Sequence, residues 1–386
     1  MQRLTLAPRP NWQTRLHEVG MTWYAPTPEH PVPYWGEEVC YAFTPGQVAD
    51  LRRDSQLLTE LILEATGYAI ERGRLTELGI PAFLHSAIRE SWERDDPTVY
   101  MRLDLAWDGS GPPKLLEVNG QTPTSLLEAA VCQWHWLEDR LSAGELPPGT
   151  GQWNTIHEGL GEQWTHLHTA RGVRQVHFSA AQEVEDIATV TYQRELAQAA
   201  GIGGSFLTAD EVGTNPAFSE LLDTWDLPIA HLCWLWPFEY AWEARDALFL
   251  ASTTTRFIEP LWKAVTSSKG LLALLCELNP GHRLLLPATL TPGDLGPNVV
   301  RKPLYSREGQ NVQLPGEAAT PGDYGDLPSV EQLYTELPTY AAHDGPRYPV
   351  LGVWVAGDEV CGLGIREGRG RVTDNRATFA PHVVLP

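Results

Sequence analysis

Four polar residues between positions 102 and 119 have the side-chain chemistry of a site for Mg²⁺ and phosphate. The segment RLDLAWDGSGPPKLLEVN alternates polar and apolar residues on either side of the turn formers DGSGPP, which predicts an antiparallel hairpin. Residues two apart share a strand face, so Arg102 lies with Asp104, and Glu117 with Asn119. The apolar residues between them are expected to face the core: Leu103, Leu105, Leu116 and Val118.

Oxygen ligands beside a cation suit Mg²⁺ and phosphate, because Mg²⁺ prefers carboxylate and amide oxygens and a guanidinium binds phosphate. The alternative is a solvated outer face with a chance salt bridge, since half-polar antiparallel hairpins are common. The pattern alone favours neither interpretation.

Lysine is scarce, which makes each lysine a candidate for a specific role. Only four of the 28 basic residues are lysines: Lys114, Lys263, Lys269 and Lys302. Lys302 lies on a predicted strand, VVRKPL, before a Ser-Arg-Glu-Gly turn, an arrangement that can hold nucleotide phosphates. Lys269 begins a leucine-rich helix. Taken alone, a surface lysine before an ordinary hairpin explains Lys302 better, and solubilisation of a helix end explains Lys269.

Two further charged residues lie in distinctive surroundings. Arg366 is near the end of a glycine-flanked strand, GLGIRE, where it could stabilise a transferring phosphoryl group or equally pair with Glu367 or another acid. Glu239 lies in the aromatic stretch WPFEYAW, where it could bind a cationic substrate group or be a paired, partly buried carboxylate. The 12 His show no metal-binding spacing and no GxSxG motif occurs, so nucleophilic hydrolase chemistry is not indicated.

The elements that must position these residues form a mixed α/β pattern. Thr44 and Pro45 predict the start of a helix that runs to about residue 72. A further helix is predicted directly after Asn119, with Thr122 or Thr124 as its cap and an anion-binding N-terminus. Residues 173–208 predict a small β-α-β unit, and strands are predicted at 297–303, 311–314, 330–337, 348–357, 359–367 and 371–375.

Composition limits the classes of function. A length of 386 residues with 42% hydrophobic residues predicts a folded chain of two domains. The net charge of −21, with no basic block, argues against a nucleic-acid partner. No apolar leader or spanning run is present, so we expect a cytoplasmic protein without a membrane partner. The five cysteines are scattered and predict reduced thiols.

The chain resembles the glutathionylspermidine synthetase family, whose synthetase module has an ATP-grasp fold. The matching segments run in order from about residue 10 to the C-terminus: YWGEEVCYAFT, RLDLAWDGSGPPKLLEVNGQTPTSLLEAAVCQWHWLED, WPFEYAW, IEPLWKAVTSSKGLLALLCELNPGH, VRKPLYSREGQNV and VLGVWVAGDEVCGLGIREG. The resemblance implies a permuted ATP-grasp fold of the α+β or α/β class. Residues 1–149 and 229–386 would form the catalytic domain, and residues 150–228 an inserted, Rossmann-like pre-ATP-grasp domain.

The resemblance also implies a function, an ATP-dependent ligase that joins a small-molecule carboxylate to an amine through an acyl phosphate. By matching motifs, Mg²⁺ (two ions) would be bound by Asp104, Glu117 and Asn119. ATP would be held by Lys269, Lys302, Glu308 and Gly309. Arg102 and Arg366 would contact the transferring phosphoryl group, and Thr122 and Glu239 the substrate. A nucleotide-binding pseudoenzyme or regulator, a kinase and a metal-dependent hydrolase remain as alternatives.

The sequence departs from the family pattern at Gly120-Gln121, where the family has Ala-Asp after the asparagine, and at Ser268, where it has Asn. The cysteine-dependent amidase domain of bifunctional members is expected to be absent. We expect substrate choice to be made at residues 120–122. The identities of the acid and the amine, and the oligomeric state, are left open.

Overall fold

Strands and helices alternate along the chain in a mixed α/β fold. The computed structural model describes residues 1–27, 31–215, 217, 219–243 and 247–386. Its strands are β1 (Gln2–Thr5), β2 (Val39–Phe43), β3 (Tyr100–Ala106), β4 (Lys114–Asn119), β5 (Gln175–Ala180), β6 (Gly203–Thr208), β7 (Gly213–Asn215), β8 (Glu220–Leu222), β9 (His231–Leu235), β10 (Arg256–Ile258), β11 (Ala288–Thr289), β12 (Val299–Pro303), β13 (Ser329–Leu333), β14 (Tyr340–Ala342), β15 (Gly345–Ala356), β16 (Glu359–Gly368), β17 (Thr378–Phe379) and β18 (His382–Val384).

The helices differ widely in length, from a single turn to more than seven turns. They are α1 (Trp12–Glu18), α2 (Pro45–Glu71), α3 (His85–Glu93), α4 (Gln133–Ser142), α5 (Ile156–Thr169), α6 (Val184–Ala199), α7 (Phe238–Glu243), α8 (Lys263–Ser267) and α9 (Leu271–Leu278). In the described ranges, none of them is both long and apolar enough to span a bilayer.

A six-stranded antiparallel sheet carries the predicted hairpin. Its order is β17-β16-β15-β3-β4, with β14 paired to β15. Leu103 and Leu105 of β3 are fully buried on one face, in a core that they share with Leu58 and Ile62 of α2. Two three-stranded sheets, β11-β13-β12 and β1-β2-β18, adjoin this assembly. One face of the hairpin is therefore committed to the core, and the other is left for polar groups.

The long helix α2 begins as the sequence predicts. The Thr44 side chain accepts a hydrogen bond from the backbone N–H of Gln47 at 3.2 Å, and the Gln47 side chain accepts one from the Thr44 N–H at 3.0 Å. Pro45 occupies the first turn, where its missing N–H costs no helical hydrogen bond. These reciprocal bonds satisfy two donors that a helix start leaves free.

A four-stranded parallel sheet of order β10-β9-β5-β6 forms a second layer, and it contains the predicted β-α-β unit as β5, α6 and β6. The same sheet includes β9 and β10, which come after residue 228 in the chain. The proposed division of the chain at residues 150 and 228 stays a prediction.

Three local predictions are wrong. Residues 311–314 form no strand, although Gln313 makes an isolated antiparallel bridge to Arg301; β12 pairs along its length with β13, and the intervening residues make a long loop. Residues 371–375 form no strand either, and β16 pairs at its outer edge with β17. The helical segment that precedes α4 starts at residue 126 with a π-helical stretch, Glu128–Cys132, so neither Thr122 nor Thr124 caps it. Proline and threonine mark a turn here, but Ser125 adopts a left-handed conformation (φ 68°) that delays the helix.

A buried ion pair joins the parallel sheet to β3. Glu259 follows β10 and accepts hydrogen bonds from the N–H groups of Val99 (2.9 Å) and Tyr100 (3.1 Å) and from the Thr98 hydroxyl. Lys263 Nζ lies 3.5 Å from Glu259 and donates to the Tyr100 carbonyl at 3.2 Å. Burial raises the pKa of Glu259 and lowers the pKa of Lys263, because each charge is far from water.

Replacing Lys263 with Met should destabilise the protein by about 3–5 kcal/mol, because the buried Glu259 would lose its compensating charge. Urea unfolding measures this loss. The matched control is Lys114→Met, since Lys114 is partly exposed and donates to a single carbonyl, that of Arg283. Equal losses in the free energy of unfolding for the two variants would show that the Glu259–Lys263 pair does not stabilise the contact between the parallel sheet and β3.

Candidate active site

A cavity of about 440 Å³ lies where the six-stranded sheet, the β11-β13-β12 sheet and the carboxyl ends of β5 and β9 meet. All of the site residues predicted from the sequence line it: Arg102, Asp104, Glu117, Asn119, Thr122, Glu239, Lys269, Lys302, Glu308, Gly309 and Arg366. The fold thus brings residues that are far apart in the chain to one place, while the role of each residue stays a prediction.

The hairpin turns its polar face to this cavity. Arg102 pairs in register with Asn119, and Asp104 with Glu117. Arg102 Nε lies 2.6 Å from one oxygen of Asp104 and Nη2 lies 3.1 Å from the other. The prediction for Leu116 is wrong, because the register shifts beside Glu117 and leaves Leu116 half-buried on the cavity wall. A β-bulge of this kind re-aims a side chain without breaking the hairpin.

The Arg102 side chain is held flat against the sheet. It lies across Gly352 of β15, where a Cβ atom would stand 2.7 Å from Arg102 Cδ. Its guanidinium lies 5.8 Å from the ring centroid of Trp354, and Nη1 donates to the Thr124 carbonyl at 2.7 Å. A glycine at 352 is therefore needed for this close approach.

The two predicted ATP lysines flank Glu117. Lys269 Nζ lies 3.6 Å from a Glu117 oxygen and donates to the Ser306 carbonyl at 2.7 Å. Burial would raise the pKa of Glu117, but Lys269, Lys302 and Arg102 outweigh it and lower the pKa to about 2. Burial lowers the pKa of Lys302 to about 8. The carboxylate is therefore ionised and surrounded by cations.

Arg366 is not paired with Glu367. Glu367 lies on the opposite face of β16 and binds Arg3 at 2.7 Å, Arg347 at 3.3 Å and the Tyr41 hydroxyl at 2.6 Å. Arg366 donates to the Asp374 carbonyl at 2.8 Å. Its Nε is buried and has no hydrogen-bond partner among the residues that the structure describes. The guanidinium is therefore not paired with Glu367, but it is close enough to Glu185 and Asp104 to favour the ionised form of both carboxylates.

Sequence reasoning missed Arg307, which ties the loop after β12 to the rest of the site. Its Nη1 donates to the Thr122 hydroxyl at 2.8 Å, and Nε and Nη2 donate to one oxygen of Glu239 at 3.2 and 2.9 Å. The guanidinium also lies 5.7 Å from the centroid of the Tyr240 ring. Arg307 could have been identified as a site residue from its position directly before Glu308, in the Ser-Arg-Glu-Gly turn.

Sequence reasoning also missed an acidic wall at the start of α6. Glu183 and Asp186 line the cavity, and Glu185 accepts a hydrogen bond from the Ser125 N–H at 3.2 Å. Burial and the neighbouring Glu185 raise the pKa of Asp186 to about 6, and burial raises the pKa of Glu185. Glu128 lies close enough to Glu185 that burial and this neighbour raise its pKa to about 7. Carboxylates held together in this way, with Glu128 buried and Glu185 and Asp186 half-buried, favour a cationic ligand.

The departure at Gly120-Gln121 has a local structural explanation. Gln121 is buried, donates to the Trp236 carbonyl at 2.8 Å and accepts from the Phe238 N–H at 3.0 Å. It thereby fixes the start of α7, the helix that carries Glu239. Both ends of the Gln121 amide are occupied by backbone groups, which an aspartate could not satisfy in the same way.

A divalent cation can be tested against the donors that are present. No group of three or more His, Cys, Asp or Glu residues suited to a metal occurs within the described ranges. The hairpin offers a different donor set, the two cross-strand carboxylates of Asp104 and Glu117 with the amide of Asn119 beside them. All three supply oxygen atoms, which fits Mg²⁺ better than zinc, whose sites are built mainly from Cys and His.

A family model described as glutathionylspermidine synthase preATP-grasp matches residues 3–385. This chain belongs to that family. The match confirms the family predicted from the sequence.

The relatives of this glutathionylspermidine synthase family member include ligases. A Haemophilus influenzae protein provisionally named an acid–amine ligase is 36% identical over 402 residues, with both chains covered in full. Trypanothione synthetase of Crithidia fasciculata is 27% identical, over 84% of this chain and 53% of its own length. The bifunctional glutathionylspermidine synthetase/amidase of Escherichia coli is 24% identical, over 89% of this chain and 59% of its own. This chain thus spans just over half the length of the last two.

The fold also matches a solved structure. A glutathione synthetase-like effector from Globodera pallida, in its apo form, superposes with a TM-score of 0.54 at 12% identity, over 98% of this chain and 100% of that one. The family member therefore has a mixed α/β fold that it shares with a glutathione synthetase-like protein.

Replacing Gly120 with Ala should destabilise the protein by about 1–3 kcal/mol through overpacking. A Cβ atom at this position would lie 2.0 Å from Thr266 Oγ1 and 2.9 Å from the Thr266 backbone carbon, so the exit of β4 must shift. Thermal unfolding checks this prediction. The control is Gly161→Ala, because Gly161 lies within α5 with open space around it and alanine there should stabilise by about 0.5–1 kcal/mol. A G120A protein as stable as the wild type would contradict the close approach.

Proposed function

We propose that this chain is an ATP-dependent ligase that joins a carboxylate to an amine through an acyl phosphate, with ADP and inorganic phosphate as the other products. The observation that carries the proposal is a single cavity that contains cations for phosphate, oxygen donors for a divalent cation and a wall of carboxylates for an amine. The family relationship supports the same class of reaction.

The nucleotide would enter along β12 and β13. Lys269 and Lys302 supply positive charge for its phosphates, and the loop residues Glu308 and Gly309 lie beside them on the cavity wall. An apolar part of the same wall suits a purine ring, and its residues are Leu286, Val300, Val312, Leu314, Leu333 and Leu337. We therefore assign this side of the cavity to ATP.

Asp104, Glu117 and Asn119 would hold Mg²⁺, two ions being the number that the family resemblance implies. When bound, Mg²⁺ would neutralise charge on the phosphate oxygens. Asp104 already shares both oxygens with Arg102, so the arginine keeps this carboxylate oriented toward the cavity. Burial raises the pKa of Asp104 while Arg102 opposes the shift, and the arginine thereby favours the ionised, ligating form.

The chemistry would proceed in two displacements. An oxygen of the substrate carboxylate attacks the γ-phosphorus of ATP, and the bond to ADP breaks. An ammonium substrate first gives one proton to solvent. The neutral amine nitrogen then attacks the acyl carbon, the carbon–oxygen bond to phosphate breaks, and the departing phosphate takes the second proton. Arg102 and the partly unpaired Arg366 would stabilise the negative charge that develops on the transferred group. The protein contributes position and charge, which is the usual basis of phosphoryl-transfer catalysis.

The two substrates would approach from different walls. Thr122, Glu239 and Arg307 form a bonded cluster that suits an acid substrate with further polar groups. Glu183, Glu185 and Asp186 form the acidic wall that suits a cationic amine. Amino acids, small peptides and polyamines are therefore the compounds to screen for Mg·ATP-dependent phosphate release.

We also propose that the ATP-grasp fold is permuted, because the hairpin with the metal donors precedes both lysines in the chain. Residues 1–149 and 229–386 would form the catalytic domain, and residues 150–228 the inserted pre-ATP-grasp-like domain. The β5-α6-β6 unit supports a separate element within residues 150–228, since it brings the acidic wall to the cavity, while β9 and β10 of the 229–386 segment complete its parallel sheet.

Asp104→Ala should lower the rate of ADP formation by at least about 10²–10³-fold, because a preorganised charge at the phosphates would be lost. The assay uses an acid–amine pair that the screen identifies, and circular dichroism checks the fold. Asp358→Ala is the control, since Asp358 is exposed in the β15–β16 turn. An Asp104→Ala protein that makes ADP at the wild-type rate would refute the metal assignment. A wild-type protein that binds ATP but forms no ADP with any acid–amine pair would favour the alternative function, a nucleotide-binding regulator.

The KM for the amine should rise as the pH falls below about 6, while the KM for ATP changes less. The raised pKa of Asp186 means that this carboxylate is protonated below about pH 6 and ionised above it, so its attraction for a cation is lost on acidification. Steady-state kinetics between pH 5 and pH 8 measure the profile. Asp186→Asn should raise the amine KM at pH 8 and flatten the profile. If the Asp186→Asn protein keeps the wild-type pH profile of the amine KM, Asp186 is not part of the amine site.

A further inference from the structure

The ammonium group of Lys302 is held by two uncharged oxygens. Nζ donates to Gln332 Oε1 and to the carbonyl of Leu116, both at 2.8 Å. Lys302 and Gln332 are both buried, on the neighbouring strands β12 and β13. The bulge in β4 exposes the Leu116 carbonyl to this lysine, so the irregularity of the hairpin and the placement of Lys302 depend on each other.

Gln332 is fixed at its other end as well. Its Nε2 donates to the Leu115 carbonyl at 3.0 Å, on the free edge of β4. The side chain therefore spans from β13 to the hairpin and links the sheet that carries Lys302 to the strand that carries Glu117. Because both ends of the amide are bonded, its acceptor oxygen has one orientation toward the lysine.

An ammonium group has three N–H donors, and two of those of Lys302 are already directed. Since neither acceptor is charged, the positive charge of the lysine is not cancelled by them. The third donor remains available to an anion in the cavity that Lys302 and Gln332 both line, and so does the charge, which nearby Glu117 offsets only through space. A carboxylate in place of the Gln332 amide would form an ion pair and compete with that anion.

We propose that Gln332 is a positioning residue for nucleotide phosphates, because it directs the Lys302 ammonium toward the cavity without neutralising it. The inference rests on the proposed function, in which the phosphates of ATP bind beside Lys302. It goes beyond that function by assigning a role to a residue that need not touch the nucleotide.

The test compares Gln332→Met, which keeps the length of the side chain but removes both hydrogen bonds, with Gln332→Glu, which keeps an acceptor and adds charge. Isothermal titration calorimetry with ADP, a non-hydrolysable ATP analogue and adenosine separates phosphate binding from purine binding. We expect each variant to bind ADP and the analogue at least about tenfold more weakly, a loss of about 1.4 kcal/mol, and adenosine within about twofold of wild type.

The matched controls are Gln313→Met and Gln313→Glu. Gln313 lies near the same sheet but outside the cavity, where its amide donates to the Glu317 carbonyl. Both controls should bind all three ligands as the wild type does. A wild type that binds neither ADP nor the analogue would refute the proposed function itself.

The positioning role is overturned if the Gln332 variants bind ADP with wild-type affinity, or if ADP and adenosine lose affinity in parallel, as a general structural defect would produce. If Gln332→Met fails to fold, Gln332→Glu decides the question, since it keeps the shape and polarity of the side chain.

Discussion

The active site depends on the register in which β3 pairs with β4. A slip of β3 by one residue would turn Arg102 and Asp104 into the core and Leu103 and Leu105 into the cavity, because side chains alternate along a strand. The core prevents this slip. Burial of each leucine beneath α2 contributes about 1.5–3 kcal/mol, whereas burial of an unpaired carboxylate there costs far more. The apolar face of the hairpin thus determines where its polar face can be.

The high cost of burying an unpaired charge also explains why charged residues of the hairpin are found in ion pairs. A cavity wall with little water cannot hold isolated carboxylates, so Arg102 accompanies Asp104, and Lys269 lies beside Glu117. Phosphates and a divalent cation would exchange these partners, with the cation taking over the carboxylates and the phosphates taking over the lysines. The site is therefore close to charge balance both before and after such an exchange, which keeps its geometry stable in either state.

Patterns with a short period were readable from the sequence, and contacts made by the tertiary fold were not. Strand alternation predicted the polar face of the hairpin, and capping residues predicted the start of α2. The bulge at Leu116 was not predictable, since alternation carries no sign of an extra residue. Nor was the pairing of β12 with β13, because a long loop separates them and residues 311–314 have a strand-like composition of their own. Arg307 and Asp186 reach the cavity through such contacts, so their residue types alone did not identify them as site residues.

The scarcity of lysine was informative but ambiguous. It predicted a role for Lys269 and Lys302, which do line the cavity, and it gave no means of separating them from Lys263, which lies fully buried against Glu259. The difference lies in the partners. Lys263 has a carboxylate that neutralises it, whereas Lys302 is bonded to neutral oxygens.

The departure from the family pattern at Gln121 can be compared with the proposed substrate site. Both ends of its amide are bonded to the backbone around α7, so this side chain has little capacity left for a substrate. What it does control is the position of Glu239, and through Glu239 that of Arg307. One oxygen of Glu239 binds Arg307, and the other is buried without a partner among the described residues. A buried, unsatisfied carboxylate oxygen costs free energy unless a ligand donates to it. We infer that selection of the acid substrate lies with the cluster of Thr122, Glu239 and Arg307 rather than with residue 121 itself.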